Sequence, residues 1–103
     1  MGKCVWNSRP GFCTNDCTAA VLINALEYLG KKVPDDISVI GFDDIDLCKM
    51  ISPQLTTMRV EMELMGTLAI RELLGCIENK QEPHRHIQIA VNLIERESVR
   101  KIL

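Results

Sequence analysis

The chemistry-bearing residues of this chain begin with two adjacent aspartates, Asp43 and Asp44, which end the apolar run at residues 37–42, ISVIGF. Paired carboxylates can act as an acid–base couple, hold a cation, cap a turn, or receive the hydroxyl or N–H groups of a ligand. Acid–base work needs both to face one substrate, whereas neighbours on an extended chain point opposite ways. Catalysis by this pair is therefore not expected. A second polar cluster, Thr14-Asn15-Asp16, precedes a long apolar stretch, and Asn15 or Asp16 can cap the helix that begins there. Cys13 and Cys17 have a spacing a metal or redox centre can use, but apolar filling of a strand and its following helix is the simpler reading. His84 and His86 follow Pro83 with no third ligand nearby and read as a polar loop entering a strand. There is no glycine-rich turn with a lysine of the kind that cradles phosphates, and no nucleophile, base and orienting group can be assembled. Neither an enzyme, a cofactor nor a metal site is expected.

Composition narrows the partners. With 103 residues, the chain makes one small domain or part of a larger one. Its 47% hydrophobic and 25% charged content are those of an ordinary globular chain. The net charge is −2 and no Lys/Arg stripe is interleaved with aromatics, which argues against unaided nucleic-acid binding, since that draws on neutralised phosphates. No apolar run approaches a membrane span and the first residues lack the apolar core of a signal peptide, so a cytoplasmic protein is expected. Five scattered cysteines fit reduced thiols better than an even disulfide framework.

The elements that must position these groups follow from pattern and punctuation. Residues 1–10 show no periodicity and read as a lead-in foreign to the fold. Residues 11–14 are a short apolar piece. Residues 17–29, CTAAVLINALEYL, lack Pro and Gly and predict a helix ended by Gly30. Ala19, Leu22, Ile23 and Leu26 make one stripe, with Ala20, Val21 and Ala25 beside it; a helix apolar on so many sides is buried twice over or meets a partner. The run 37–42 predicts a strand covered on both faces. Residues 55–60, LTTMRV, predict another strand. Residues 61–79 predict a longer helix with Met62, Met65, Ala69, Leu73 and Cys76 at helical spacing, the methionines as core filler. The alternation of Ile87, Ile89, Val91 and Leu93 predicts a last strand. Strand, helix, strand is the grammar of an α/β doubly wound parallel sheet, in which ligands bind beyond the carboxyl ends of the strands; TND and FDD both fall there.

The order TND…ALEYLGKKVPDDISVIGFDD…PQLTTMRV…LIERESV closely resembles the carboxyl-terminal part of the effector-binding region of LacI/GalR regulators, over residues 12–99. The resemblance implies a periplasmic-binding-protein-like, two-lobed fold. Residues 11–51 and about 86–103 would belong to the carboxyl-terminal lobe, and residues about 54–80 would cross into the amino-terminal one. It implies that Asp43, and Asn15 at a position variable in the family, contact a small effector of the sugar or nucleobase class. From the residues alone, Asn15 stays open between cap and pocket, and Asp43 between turn and pocket; Asp44 is assigned to turn and backbone hydrogen bonding. It also implies a dimer contact near Ala20, Val21 and Ile51. Val21 departs from the family's usual glycine. Family members are much longer and carry a helix-turn-helix DNA reader, so the expectation is a fragment that meets DNA only through a missing segment. Helix 61–79 would then lack the sheet it packs on, and homo-oligomerisation is expected to cover it. Two alternatives are a fragment of a transporter's solute-binding protein, and a dimerisation module that modulates a full-length regulator.

Overall fold

The computed structural model describes residues 11–78 and 85–101. The lead-in at 1–10, Asn79 at the end of the expected second helix, and Pro83 and His84 lie outside the described residues.

The described chain divides into two units, one running to Arg59 and resuming at Asn92, the other spanning Val60–Val91. In the first, β1 (Gly11–Phe12) pairs in parallel with β2 (Val39–Ile40), in the register Gly11 to Val39 and Phe12 to Ile40. Between them runs α1 (Asp16–Tyr28). Asn15 caps its start with extended backbone, its Oδ1 accepting from Thr18 N at 2.8 Å. Gly30, at φ 78°, ends it: Gly30 N donates to the Glu27 carbonyl and Lys31 N to that of Leu26. That is the left-handed helix stop in which glycine avoids the Cβ penalty. Ala19, Ile23 and Leu26 face inward at helical spacing and join Cys13, Ile37, Val39, Cys48 and Leu55 in the core, with Leu22, Val33, Ile45 and Ile51 packed against it. Cys48 belongs to the short α2 (Leu47–Met50).

The expected strand at 37–42 is regular only over Val39–Ile40. Its ladder continues as single bonds, from Gly41 N to the Thr56 carbonyl at 3.0 Å and from Asp43 N to the Met58 carbonyl at 2.9 Å. Those carbonyls belong to or adjoin β3 (Thr57–Arg59), which pairs antiparallel with β4 (Asn92–Ile94). The described strands thus form a parallel pair and an antiparallel pair, joined by the isolated parallel bridges Ile40 to Thr56 and Asp43 to Arg59. The expected last strand is reduced to three residues because its partner β3 is only that long; Ile87 and Ile89 lie in irregular chain.

The second unit is α3 (Met62–Glu78) and residues 85–91. Arg85 meets Glu72 at 3.4 Å. No residue of α3 is buried. Met62, Leu64, Met65, Ile70, Leu73, Leu74 and Ile77 are all exposed, so the methionines are not core filler within this chain.

Candidate functional site

The site is built where the parallel strands end. Phe12 and Ile40 are register partners; Asn15 lies three residues beyond the first and Asp43 three beyond the second, so both stand on loops at one edge of the sheet. The loops are tied together by Asp16, whose Oδ2 accepts from Ile45 N at 2.9 Å while its Oδ1 accepts from Thr57 Oγ1 at 2.6 Å. Asp16 is only 1% exposed, and its two hydrogen bonds offset the cost of burying a carboxylate. Gly41 faces it so closely that a Cβ there would overlap Asp16 Oδ1 and reach within 2.8 Å of Leu55 Cδ2. The glycine in GFDD is thus required by close approach, with no positive φ involved.

Both aspartates of the opening pair have positive φ, 119° at Asp43 and 63° at Asp44. The second value is the ordinary left-handed well, which aspartate tolerates. The first lies outside it, where a side chain costs roughly 1–3 kcal/mol unless the surroundings hold it. Here the Asp43 N to Met58 bond and the Asp16 to Ile45 bond grip the chain on either side. Strained backbone of this kind clusters at functional sites.

The two carboxylates have different environments. Asp44 has a side chain 6% exposed and receives Arg96 Nη2 at 2.7 Å and Arg59 Nε at 2.8 Å. Burial pushes its carboxyl up, but the hydrogen bonds and charges of the two guanidiniums outweigh burial and hold it below its ordinary value. Its role is more than the turn and backbone bonding assigned from sequence. Asp43 has no side-chain hydrogen bond among the described residues and stays partly exposed. Asn15 uses Oδ1 for its cap, and the two hydrogens on its Nδ2 have no partner among the described residues. Cap and pocket contact are therefore compatible in one side chain: the amide accepts from the helix and can donate outward.

Other candidates are dispersed. Cys13 is buried in the core and Cys17 is exposed on α1, so the two do not converge. Burial raises the Cys13 thiol. Burial, reinforced by Asp16, pushes Cys48 up to about 12. Among the described residues no group of three His, Cys, Asp or Glu side chains is placed to hold a metal. Ala20 is half-buried and Val21 68% exposed, while Ile51 packs partly on the core. Sequence reading missed Asp16, Thr57 and the Asp44–Arg59–Arg96 cluster. The available signal was polar residues inside apolar segments, Thr56-Thr57 above all, since a buried hydroxyl must find a partner.

In open α/β sheets ligands bind past the carboxyl ends of the parallel strands, which is where these polar side chains gather. Residues 4–99 match the periplasmic binding protein-like domain family. A relative is the HTH-type transcriptional repressor PurR of Vibrio vulnificus (strain CMCP6), 39% identical over 94% of this chain and 30% of that repressor. The LacI family transcriptional regulator of Enterococcus faecalis V583, solved with bound ribose, superposes with a TM-score of 0.82 at 36% identity, over 89% of this chain and 34% of that one. The periplasmic binding protein/LacI transcriptional regulator of Alkaliphilus metalliredigens QYMF, complexed with D-xylulofuranose, gives 0.83 at 29% identity, over 94% and 36%. The chain belongs to the periplasmic binding protein-like domain family and, within it, to the carboxyl-terminal part of the effector-binding region of LacI/GalR regulators. It spans about 30% of the length of the curated relative it matches.

Proposed function

We propose that this chain supplies the carboxyl-terminal share of the effector pocket of a bacterial transcriptional regulator, with Asp43 and Asn15 as its ligand contacts. The observation that carries this is the Asp43 carboxylate and the Asn15 Nδ2, neither with a side-chain partner among the described residues, on two adjacent loops at one sheet edge, joined by Asp16. An acceptor beside a donor suits vicinal hydroxyls or the edge of a nucleobase. Relatives solved with ribose and with D-xylulofuranose favour the sugar. The intact regulator reads DNA through its helix-turn-helix segment, acts in the cytoplasm, and changes operator affinity as the effector shifts its conformational balance. Isothermal titration of this chain with ribose tests the pocket. Binding is expected to weaken by roughly 10- to 100-fold in Asp43→Ala, the worth of a hydrogen bond to a charged group. Equal affinity in the variant would remove Asp43 from the site.

The same reading makes the protein a homo-oligomer through Ala20, Val21 and Ile51. Val21 and Tyr28 on α1 and Leu29 just past its end leave an apolar strip uncovered, at 68%, 91% and 71% exposure, and water-exposed apolar area of that kind favours association by about 25 cal/mol per Å² covered.

A further inference from the structure

We infer that Asp16 is a positioning residue, the buried carboxylate that fixes where the two effector contacts stand; the inference rests on the effector reading of Asn15 and Asp43. Three segments converge on it. It is the first residue of α1, next to the cap Asn15. Its Oδ2 takes the Ile45 N–H two residues past Asp43. Its Oδ1 takes the Thr57 hydroxyl, one residue before Met58, whose carbonyl receives the Asp43 N–H. Each part of the site is therefore one or two residues from a bond to this single side chain. A carboxylate suits the task because it offers two acceptors and no donor, and because its charge lies at the N-terminus of a 13-residue helix, where the dipole favours it. Gly41 lets it approach the sheet. Asp16 itself, at 1% exposure, is out of reach of solvent and of any effector. It acts only through the residues it holds.

Native-state amide hydrogen exchange by NMR, on the full chain without effector, tests this. The Thr18 N–H bonds the Asn15 side chain and so reports that contact; the Asp43 N–H reports the other. Gly11 N–H, on Ser38, and Val39 N–H, on Ser98, are controls elsewhere in the sheet. In Thr57→Val, Thr18 and Asp43 are expected to exchange roughly 10- to 100-fold faster, the factor for one hydrogen bond to a charged acceptor, with the controls unchanged. Thr57→Ser, which keeps the hydroxyl, is expected to restore them. Should Thr57→Val fail to fold, Asp16→Asn keeps one oxygen to accept from the Ile45 N–H and meets Thr57 through its Nδ2, the hydroxyl turning from donor to acceptor, and the same two amides are expected to quicken by roughly three- to tenfold. Uniform acceleration of reporters and controls, or no change at Thr18 and Asp43, would mean that Asp16 only stabilises the fold and would overturn the proposal. Since no sugar is present, this outcome is independent of the ribose titration.

Discussion

Removing Asp44 should cost far more than removing either charge in an exposed pair, and the structure gives the size. Asp44 and Arg96 are 6% and 9% exposed and meet at 2.7 Å. Arg96 Nη1 also donates to the Leu55 carbonyl at 2.8 Å, so its guanidinium cannot swing to water without giving up that bond, and its backbone N–H is fixed on Thr56 Oγ1 at 2.9 Å. Asp44→Ala leaves that cation buried without its counter-charge, a situation worth about 3–5 kcal/mol. Arg59 is the other partner but its side chain is 46% exposed, and such pairs contribute about 0–1 kcal/mol. Asp44→Ala should therefore exceed Arg59→Ala by about 2–5 kcal/mol. Urea unfolding followed by far-ultraviolet circular dichroism reads the difference. With a slope of about 1–3 kcal/mol per M for a chain this size, the Arg59→Ala midpoint moves little, while Asp44→Ala loses a molar or more, or has no folded baseline at all. Equal midpoints for the two variants would refute the claim that burial of the Arg96 side decides the cluster's worth. Protonation is a second handle on the same bond. The Asp44 carboxyl is held below its ordinary 3.8 in the folded chain, so its contribution is complete above that value and is lost as pH falls through the lower folded one. Wild-type stability should decline in that acid window, and Asp44→Ala should decline less.

Three further outcomes are expected. Cys48 is held as a thiol up to about 12 when folded against 9.0 as its ordinary value, so stability it contributes below pH 9.0 should fall as pH rises from there, at about 1.4 kcal/mol per unit; Cys48→Ala should flatten that limb in alkaline urea titrations. Gly41→Ala places a methyl against Asp16 Oδ1 and Leu55 Cδ2 and should destabilise by about 1–3 kcal/mol, visible as a lower melting temperature; an unchanged one would show that the loop yields freely. Ala20→Glu should shift the molar mass measured by light scattering toward monomer, or precipitate the chain, and an unchanged mass would remove α1 from the interface.

How much of this was legible in the sequence depends on the range of the interaction. The helix from Asp16 to Tyr28 follows from local signals: an asparagine cap, a glycine stop and a stripe at 3.6-residue spacing. The loops at the strand ends follow from the same punctuation. The bonds that make the site are of longer reach. Asp16 and Thr57 are 41 residues apart, and Asp44 and Arg96 are 52; no window of sequence contains both members. The strands were overestimated for a related reason. Residues 37–42 and 87–94 have the β-forming pattern, but a strand's length is set by the partner it finds, and β3 offers only three residues.

The paired aspartates can now be read through charge. Around the sheet edge stand two carboxylates and two guanidiniums, Asp43, Asp44, Arg59 and Arg96. Both guanidiniums are spent on Asp44. Two carboxylates side by side on one chain repel unless one is compensated, and the second arginine does that work, leaving Asp43 as the acceptor without a guanidinium of its own. On the proposed pocket, such an arrangement would suit an uncharged ligand that brings hydrogen-bond donors and would disfavour an anion. On the pocket reading, an anionic sugar would be taken out of water next to Asp43, while the two arginines described at this edge are both engaged with Asp44. If the pocket reading is right, ribose should bind this chain and ribose 5-phosphate should bind more weakly, with the gap narrowing in Asp43→Asn. Competition between the two sugars in a single calorimetric titration decides the matter, and tighter binding of the phosphate would show that the arginines, not Asp43, define what this edge accepts.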